Sequence, residues 1–182
     1  MKNLDIYHGT SKENAQNIIS VGFKKSLNGD EYLGSGVYFF IEGVCCPITA
    51  GKRWAGSKYK NSAIAVIKAK INKEDCEILD LRVDENIKKF NAYKEYFYEK
   101  LKEENIALEI FPERRSNWGD KYKIANFIID HAEIDVLIKN EHFPEVGCQL
   151  EQEQKIRAKV ENCTIANVTN QSKILYTSVL ML

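Results

Sequence analysis

Hydrophobic residues recur along this chain with two different periods, and the change from one period to the other predicts a mixture of strands and helices. Residues 4–7 alternate polar and apolar side chains, as a half-buried strand does. Apolar side chains then recur at helical spacing from Ala15 to Phe23. Ser11 is placed to cap this helix and Gly22 is placed to end it, so the chain opens with a strand followed by a helix.

The rest of the pattern predicts more elements of both kinds. The predicted strands lie at 38–40, 62–71, 76–81, 136–138, 155–160, 164–168 and 174–180. Three further helices are predicted. One begins near Pro47, one covers 84–105 with Asp84 as its cap, and one lies around 121–132. Many strands with helices grouped between them predict one α+β domain over residues 1–182.

Composition changes this picture by excluding several classes of protein. The chain has 182 residues, of which 26 are basic and 26 acidic, so it lacks the basic excess of a tight nucleic-acid binder. No apolar run is long enough to cross a bilayer and no secretory signal opens the chain, which predicts a cytoplasmic protein without a membrane partner. The five cysteines include no Cys-x-x-Cys pair, so neither a disulfide framework nor a zinc site is predicted.

Two clusters of basic and aromatic residues stand out locally despite the balanced charge. The first comprises Lys52, Arg53, Lys58 and Lys60 around Trp54 and Tyr59, and the second comprises Arg114, Arg115, Lys121 and Lys123 around Trp118 and Tyr122. Either cluster could follow a phosphate backbone or simply be a solvated face.

Two short motifs place glycine and polar residues beside apolar runs. One is His8-Gly9-Thr10, and the other covers residues 33–40 with Tyr38 near its centre. Val37 and Phe39 flank Tyr38, so if they face the core, Tyr38 faces the other way. In this order, with an amphipathic helix between them, the motifs resemble the catalytic domain of the ADP-ribosyltransferases of the diphtheria toxin and poly(ADP-ribose) polymerase branch, whose catalytic motif is His, Tyr, Glu.

The resemblance covers roughly the first 70 residues and implies both a fold and a set of roles. The implied core has two abutting, antiparallel-rich sheets that form a cleft for NAD, with the helix at 84–105 as an insertion. In it, His8 bonds the nicotinamide ribose, the Gly9 backbone holds the nicotinamide amide, and the Tyr38 ring stacks on the nicotinamide.

Two further contacts with NAD are implied by the same resemblance. Thr10, next to Gly9, is expected to contact the adenosine side. Family members carry a second aromatic residue on the helix after the tyrosine, which sandwiches the nicotinamide from its other side. Trp54 is the expected residue here, with Tyr59 as the alternative, although both lie farther from the tyrosine than in the polymerases.

Splitting the bond between nicotinamide and ribose passes through an oxocarbenium-like cation, which a carboxylate stabilises. The family places a glutamate at the start of a late strand, and Glu153 is expected to fill that place. Glu151 points to the same face of an extended segment and is the alternative. Gln152 or Gln154 in that place would favour single transfer over chain elongation, or an inactive domain, and both glutamates could instead be surface residues.

The resemblance therefore implies an NAD-dependent mono-ADP-ribosyltransferase that modifies an intracellular macromolecule, either protein or nucleic acid. Small domains of this kind often act as toxins or in conflict with phage. No metal is expected, because His131 and His142 form no metal-spaced set with cysteine or carboxylate. The alternatives are a catalytically inactive domain that binds NAD or ADP-ribose, and an NAD glycohydrolase that uses water as the acceptor.

Overall fold

Seven strands form one mixed sheet in the computed structural model, which describes residues 2–25, 33–105, 118–147 and 160–181. The strands are β1 (Asn3–Ser11), β2 (Val37–Ile41), β3 (Ile64–Asn72), β4 (Ile78–Asp80), β5 (Val136–Glu141), β6 (Cys163–Val168) and β7 (Ile174–Met181). Their order in the sheet is β4-β5-β6-β2-β1-β3-β7. Only β4 and β5 run parallel, and every other neighbouring pair is antiparallel.

Four helices accompany the sheet in the described ranges: α1 (Lys12–Val21), α2 (Pro47–Lys58), α3 (Asp84–Glu103) and α4 (Trp118–His131). The predicted ends of α1 are confirmed, because Ser11 accepts a hydrogen bond from the Asn14 amide and Gly22 ends the helix at φ +84°. Pro47 stands at the start of α2, as predicted.

The two faces of the sheet carry separate apolar clusters. Successive residues of β2 belong to one cluster and then to the other. Val37 and Phe39 belong to the cluster that packs against α1. Phe40 belongs to the cluster that packs against α2, α3 and α4, and Tyr38 lies against that same cluster. The prediction that Tyr38 faces away from its two neighbours is therefore confirmed.

Few backbone pairs join β1 to β2 in the middle of the sheet. β1 pairs with β3 from Asn3 to Ser11, but it pairs with β2 at a single position, Tyr7 with Phe40. The prediction of an α+β fold is confirmed, whereas the prediction of two abutting sheets is wrong, because this pair joins both halves into one sheet.

Two predicted element boundaries need correction, and one predicted strand falls almost entirely outside the described residues. The first strand does not end before His8, because β3 continues to supply backbone partners as far as Ser11. Asp84 is not a cap, since Val83 occupies that position without a side-chain hydrogen bond and Asp84 lies in the first turn of α3. The predicted strand at 155–160 lies outside the described residues except for Val160, which is exposed.

Helix α2 packs directly on β1 through two glycines. A Cβ atom on Gly9 would lie 2.0 Å from the Gly51 carbonyl oxygen, which is a backbone atom and cannot rotate away. Ala50 and Gly51 are both buried at this contact. The small residues of both elements thus permit a close approach of backbone to backbone.

We expect Gly9→Ala to destabilise the protein by about 1–3 kcal/mol or more, because the added methyl group forces α2 away from β1. Gly56→Ala is the matched control on the same helix, since its nearest contact would be Ile64 Cδ1 at 4.0 Å. That control should be neutral or stabilising by up to about 1 kcal/mol. Urea unfolding measures both, and equal stability of the two variants would contradict the close approach.

Candidate functional site at the junction of β1 and β2

The imidazole of His8 bridges the two halves of the sheet just beyond their last backbone pair. Its Nδ1 lies 2.8 Å from the carbonyl oxygen of Tyr38. A carbonyl oxygen can only accept a hydrogen bond, so Nδ1 carries the proton and donates it. In the neutral ring this leaves Nε2 with a lone pair that can accept a hydrogen bond.

Apolar rings surround this bridge on the α1 face of the sheet. The centroid of the His8 ring lies 5.5 Å from that of Phe23 and 5.7 Å from that of Phe39, both in edge-on geometry. Burial lowers the pKa of His8, the hydrogen bond to the Tyr38 carbonyl opposes this shift, and the positive charge of Lys58 lowers the pKa further. The histidine is therefore held in its neutral form.

The Tyr38 side chain lies on the opposite face of the sheet. It is half-buried, and its hydroxyl group donates to the Gly34 carbonyl at 3.0 Å and accepts from the Leu33 amide at 3.1 Å. The structure thus brings His8 to the backbone of Tyr38, while the two side chains point to different faces. A ligand that touches both rings must therefore reach both faces of the sheet at the junction of β1 and β2.

Two asparagines that the sequence reasoning missed hold the segment before Tyr38. Asn167 on β6 donates to the Leu33 carbonyl at 2.7 Å and to the Gly34 carbonyl at 3.2 Å. Asn126 on α4 accepts from the amide and the hydroxyl group of Ser35. The asparagine in the buried strand β6, where Thr164 is the other polar residue, was the available signal, because a buried amide needs hydrogen-bond partners.

The other predicted contacts with NAD are placed differently. Gly9 and Thr10 are buried inside β1, next to His8. Trp54 packs instead against Phe143, with ring centroids 5.2 Å apart, and Lys58 Nζ lies 5.6 Å from the Trp54 ring. The role of Trp54 in binding NAD stays a prediction.

Both candidate carboxylates, Glu151 and Glu153, lie outside the described residues. Within the described ranges, no three His, Cys, Asp or Glu side chains form a group that could hold a metal ion. None of the helices in those ranges is both long and apolar enough to cross a membrane.

The first basic cluster of the sequence lies on α2 and the turn after it. Its four cations, Lys52, Arg53, Lys58 and Lys60, are all exposed. Arg53 donates to the Val146 carbonyl at 2.9 Å. Of the second cluster, Arg114 and Arg115 lie outside the described residues.

Comparison with known proteins gives no family model, no curated protein and no solved structure that matches this chain.

The lowered pKa of His8 predicts how the stability of the protein depends on acid. Unfolded histidine binds a proton below its ordinary pKa of 6.5, whereas His8 in the folded protein resists protonation until lower pH. The stabilisation is thus fully present above pH 6.5 and is lost as the pH falls from there towards the pKa of the folded protein.

We expect the free energy of unfolding to fall less steeply below pH 6.5 in His8→Gln than in the wild type, because glutamine can still donate to the Tyr38 carbonyl but does not titrate. Urea unfolding at a series of pH values measures the slope. Identical slopes for both proteins would show that His8 is not held neutral.

Proposed function

We propose that this chain is an NAD-dependent mono-ADP-ribosyltransferase that modifies a macromolecule and acts at the junction of β1 and β2. The observation that carries the proposal is the hydrogen bond from His8 Nδ1 to the Tyr38 carbonyl oxygen. It joins the two motif residues that prompted the resemblance, although they lie 30 positions apart in the chain.

The geometry of the junction supports a ligand between the strands. β1 and β2 share one backbone pair, Tyr7 with Phe40, and the His8 contact with the Tyr38 carbonyl lies next to it, so we place the dinucleotide at this junction. On one face, His8 Nε2 accepts a hydrogen bond from a ribose hydroxyl group. On the other, the half-buried Tyr38 ring stacks on the nicotinamide.

In the proposed reaction, the bond between the ribose C1′ atom and the nicotinamide nitrogen breaks, and nicotinamide leaves with the bonding electrons. A nucleophile of the acceptor forms the new bond to C1′ and gives up its proton. Positive charge develops on the ribose in between, and a carboxylate stabilises it, for which Glu153 is the proposed residue.

We expect the purified protein to release nicotinamide from NAD and to transfer label from adenine-labelled NAD to a macromolecule. His8→Ala should reduce both by at least about 100-fold, because a ligand held in the wrong place reacts slowly. Nicotinamide release without labelled product would instead indicate an NAD glycohydrolase. Binding of NAD without turnover would indicate an inactive binding domain, and no binding would overturn the proposal.

His142→Ala is the matched control for this experiment. The Nδ1 atom of His142 also lies 2.8 Å from a backbone carbonyl, that of Val160, so a similar hydrogen bond is lost. His142 follows β5, which is separated from β1 by β6 and β2. Turnover of His142→Ala should therefore stay within about twofold of the wild type. An equal loss of turnover in His8→Ala and His142→Ala would show that reduced stability causes the loss.

The carboxylate is tested by a second pair of variants. Glu153→Gln should lower the rate by about 100-fold or more and leave NAD affinity nearly unchanged, because its benefit arises in the transition state. Glu151→Gln carries the same change two positions away and should keep its turnover. The reverse result would move the assignment to Glu151, and normal turnover in the double variant would remove both residues from the mechanism.

A further inference from the structure

The loop formed by residues 33–36 is held by three side chains from three separate elements. Tyr38 on β2 exchanges two hydrogen bonds with it through one hydroxyl group. Asn167 on β6 donates two, and Asn126 on α4 accepts two. We call this loop with its three partners the asparagine clamp.

The two asparagines have opposite chemical roles in the clamp. Asn126 contacts the loop through Oδ1, which accepts from the Ser35 amide at 2.8 Å and from the Ser35 hydroxyl group at 2.7 Å. Asn167 contacts the loop through Nδ2, which donates to two carbonyl groups. A carboxylate could therefore replace the first amide but not the second.

Asn167 is enclosed on every side. Its exposed fraction is 0%, and a Cβ atom on Gly36 would lie 1.9 Å from its Oδ1. That Oδ1 atom has no hydrogen-bond partner in the described ranges. An unpaired buried acceptor costs stability, whereas the Nδ2 group of the same amide makes two hydrogen bonds with the loop.

The clamp reaches the Tyr38 ring through shared atoms. The Gly34 carbonyl accepts hydrogen bonds from both the Tyr38 hydroxyl group and Asn167 Nδ2. Asn167 is also the direct strand partner of Tyr38 in the pairing of β2 with β6. A shift of the loop therefore moves the hydroxyl end of the ring, whereas the Cα end is fixed by the sheet.

Helix α4 also lies close to this loop. A Cβ atom on Gly34 would lie 2.7 Å from Ile129 Cδ1 and 2.9 Å from Asn126 Oδ1. Gly34 also has φ +80°, a conformation that favours glycine. The loop thus has little room between α4 and the sheet, which makes one arrangement of the clamp strongly preferred.

We infer that Asn126 and Asn167 are positioning residues that fix the ring of Tyr38 through the loop at 33–36. The clamp itself follows from the hydrogen bonds, and its effect on NAD rests on the proposed function. Asn126, which lies 91 positions from Ser35, would thereby affect nicotinamide binding without touching the ligand.

Amide hydrogen exchange tests the clamp without any ligand. Asn126→Leu should speed exchange of the Ser35 amide, and also of the Leu33 amide, by about tenfold or more, because both report one cooperative unit. Leu33 donates to Tyr38 and not to Asn126, so its response measures the coupling. Unchanged exchange at Leu33 in this variant would overturn the inference.

The opposite roles of the two amides supply the internal controls. Asn126→Asp keeps the acceptor and should restore slow exchange at Ser35 and Leu33. Asn167→Asp places oxygen atoms against the Leu33 and Gly34 carbonyls and should release the loop. Should that variant fail to fold, the two Asn126 variants decide. Asn91→Leu, an exposed asparagine on α3, should leave the loop unchanged.

Kinetics then test the effect on NAD. Ring stacking acts on bound nicotinamide before and during reaction, so Asn126→Leu should raise KM for NAD by about tenfold with little change in kcat, and Asn126→Asp should stay within about twofold of the wild type. A purely structural role would lower the fraction of active protein and leave KM unchanged, which would overturn the positioning role. A wild type without NAD turnover would overturn the proposed function. Hydrogen exchange would then be the test of whether the asparagine clamp fixes the Tyr38 ring.

Discussion

The hydrogen bond between His8 and the Tyr38 carbonyl is the contact on which the middle of this sheet depends. Backbone pairing between the halves is limited to Tyr7 and Phe40, and the imidazole provides the next link. A hydrogen bond of this kind contributes about 0.5–1.5 kcal/mol to stability. Phe23 and Phe39 pack against the imidazole in edge-on geometry.

Further contacts hold the strands on both sides of the junction between β1 and β2. β1 is paired along its length with β3 and lies under α2, where Gly9 meets Gly51. β2 is paired with β6, and the loop before it is fixed between Asn167 and α4. The two halves also share support, since one apolar cluster contains Ile6 of β1 together with Val37 and Phe39 of β2.

The sequence predicted the features that depend on local pattern. Ser11 and Gly22 were sufficient to bound α1, and the alternation around Tyr38 was sufficient to assign its face. The continuation of β1 past His8 was missed, because a Gly-Thr sequence reads as a strand end unless β3 is known to pair with it.

Contacts between distant residues were beyond such reasoning. Asn126 and Asn167 meet the loop at 33–36 across 91 and 134 positions, and no local period reveals which polar residue in a buried strand will find partners. The join of the two halves into one sheet likewise depends on a single long-range pair. For the site, the motif order indicated His8 and Tyr38 together, whereas it could not show that their rings lie on opposite faces.

The burial that stabilises the junction also gives His8 the charge state that the proposed reaction requires. Burial of the imidazole lowers the pKa of His8 because it disfavours the protonated ring, and the positive charge of Lys58 lowers the pKa further. In the proposed reaction, a cation also develops on the ribose, and a protonated imidazole beside it would oppose that charge. A neutral imidazole with its proton committed to the Tyr38 carbonyl instead offers a lone pair to a ribose hydroxyl group. Structural and chemical demands on this residue therefore favour the same tautomer, and the sheet contact would orient the ring before NAD arrives.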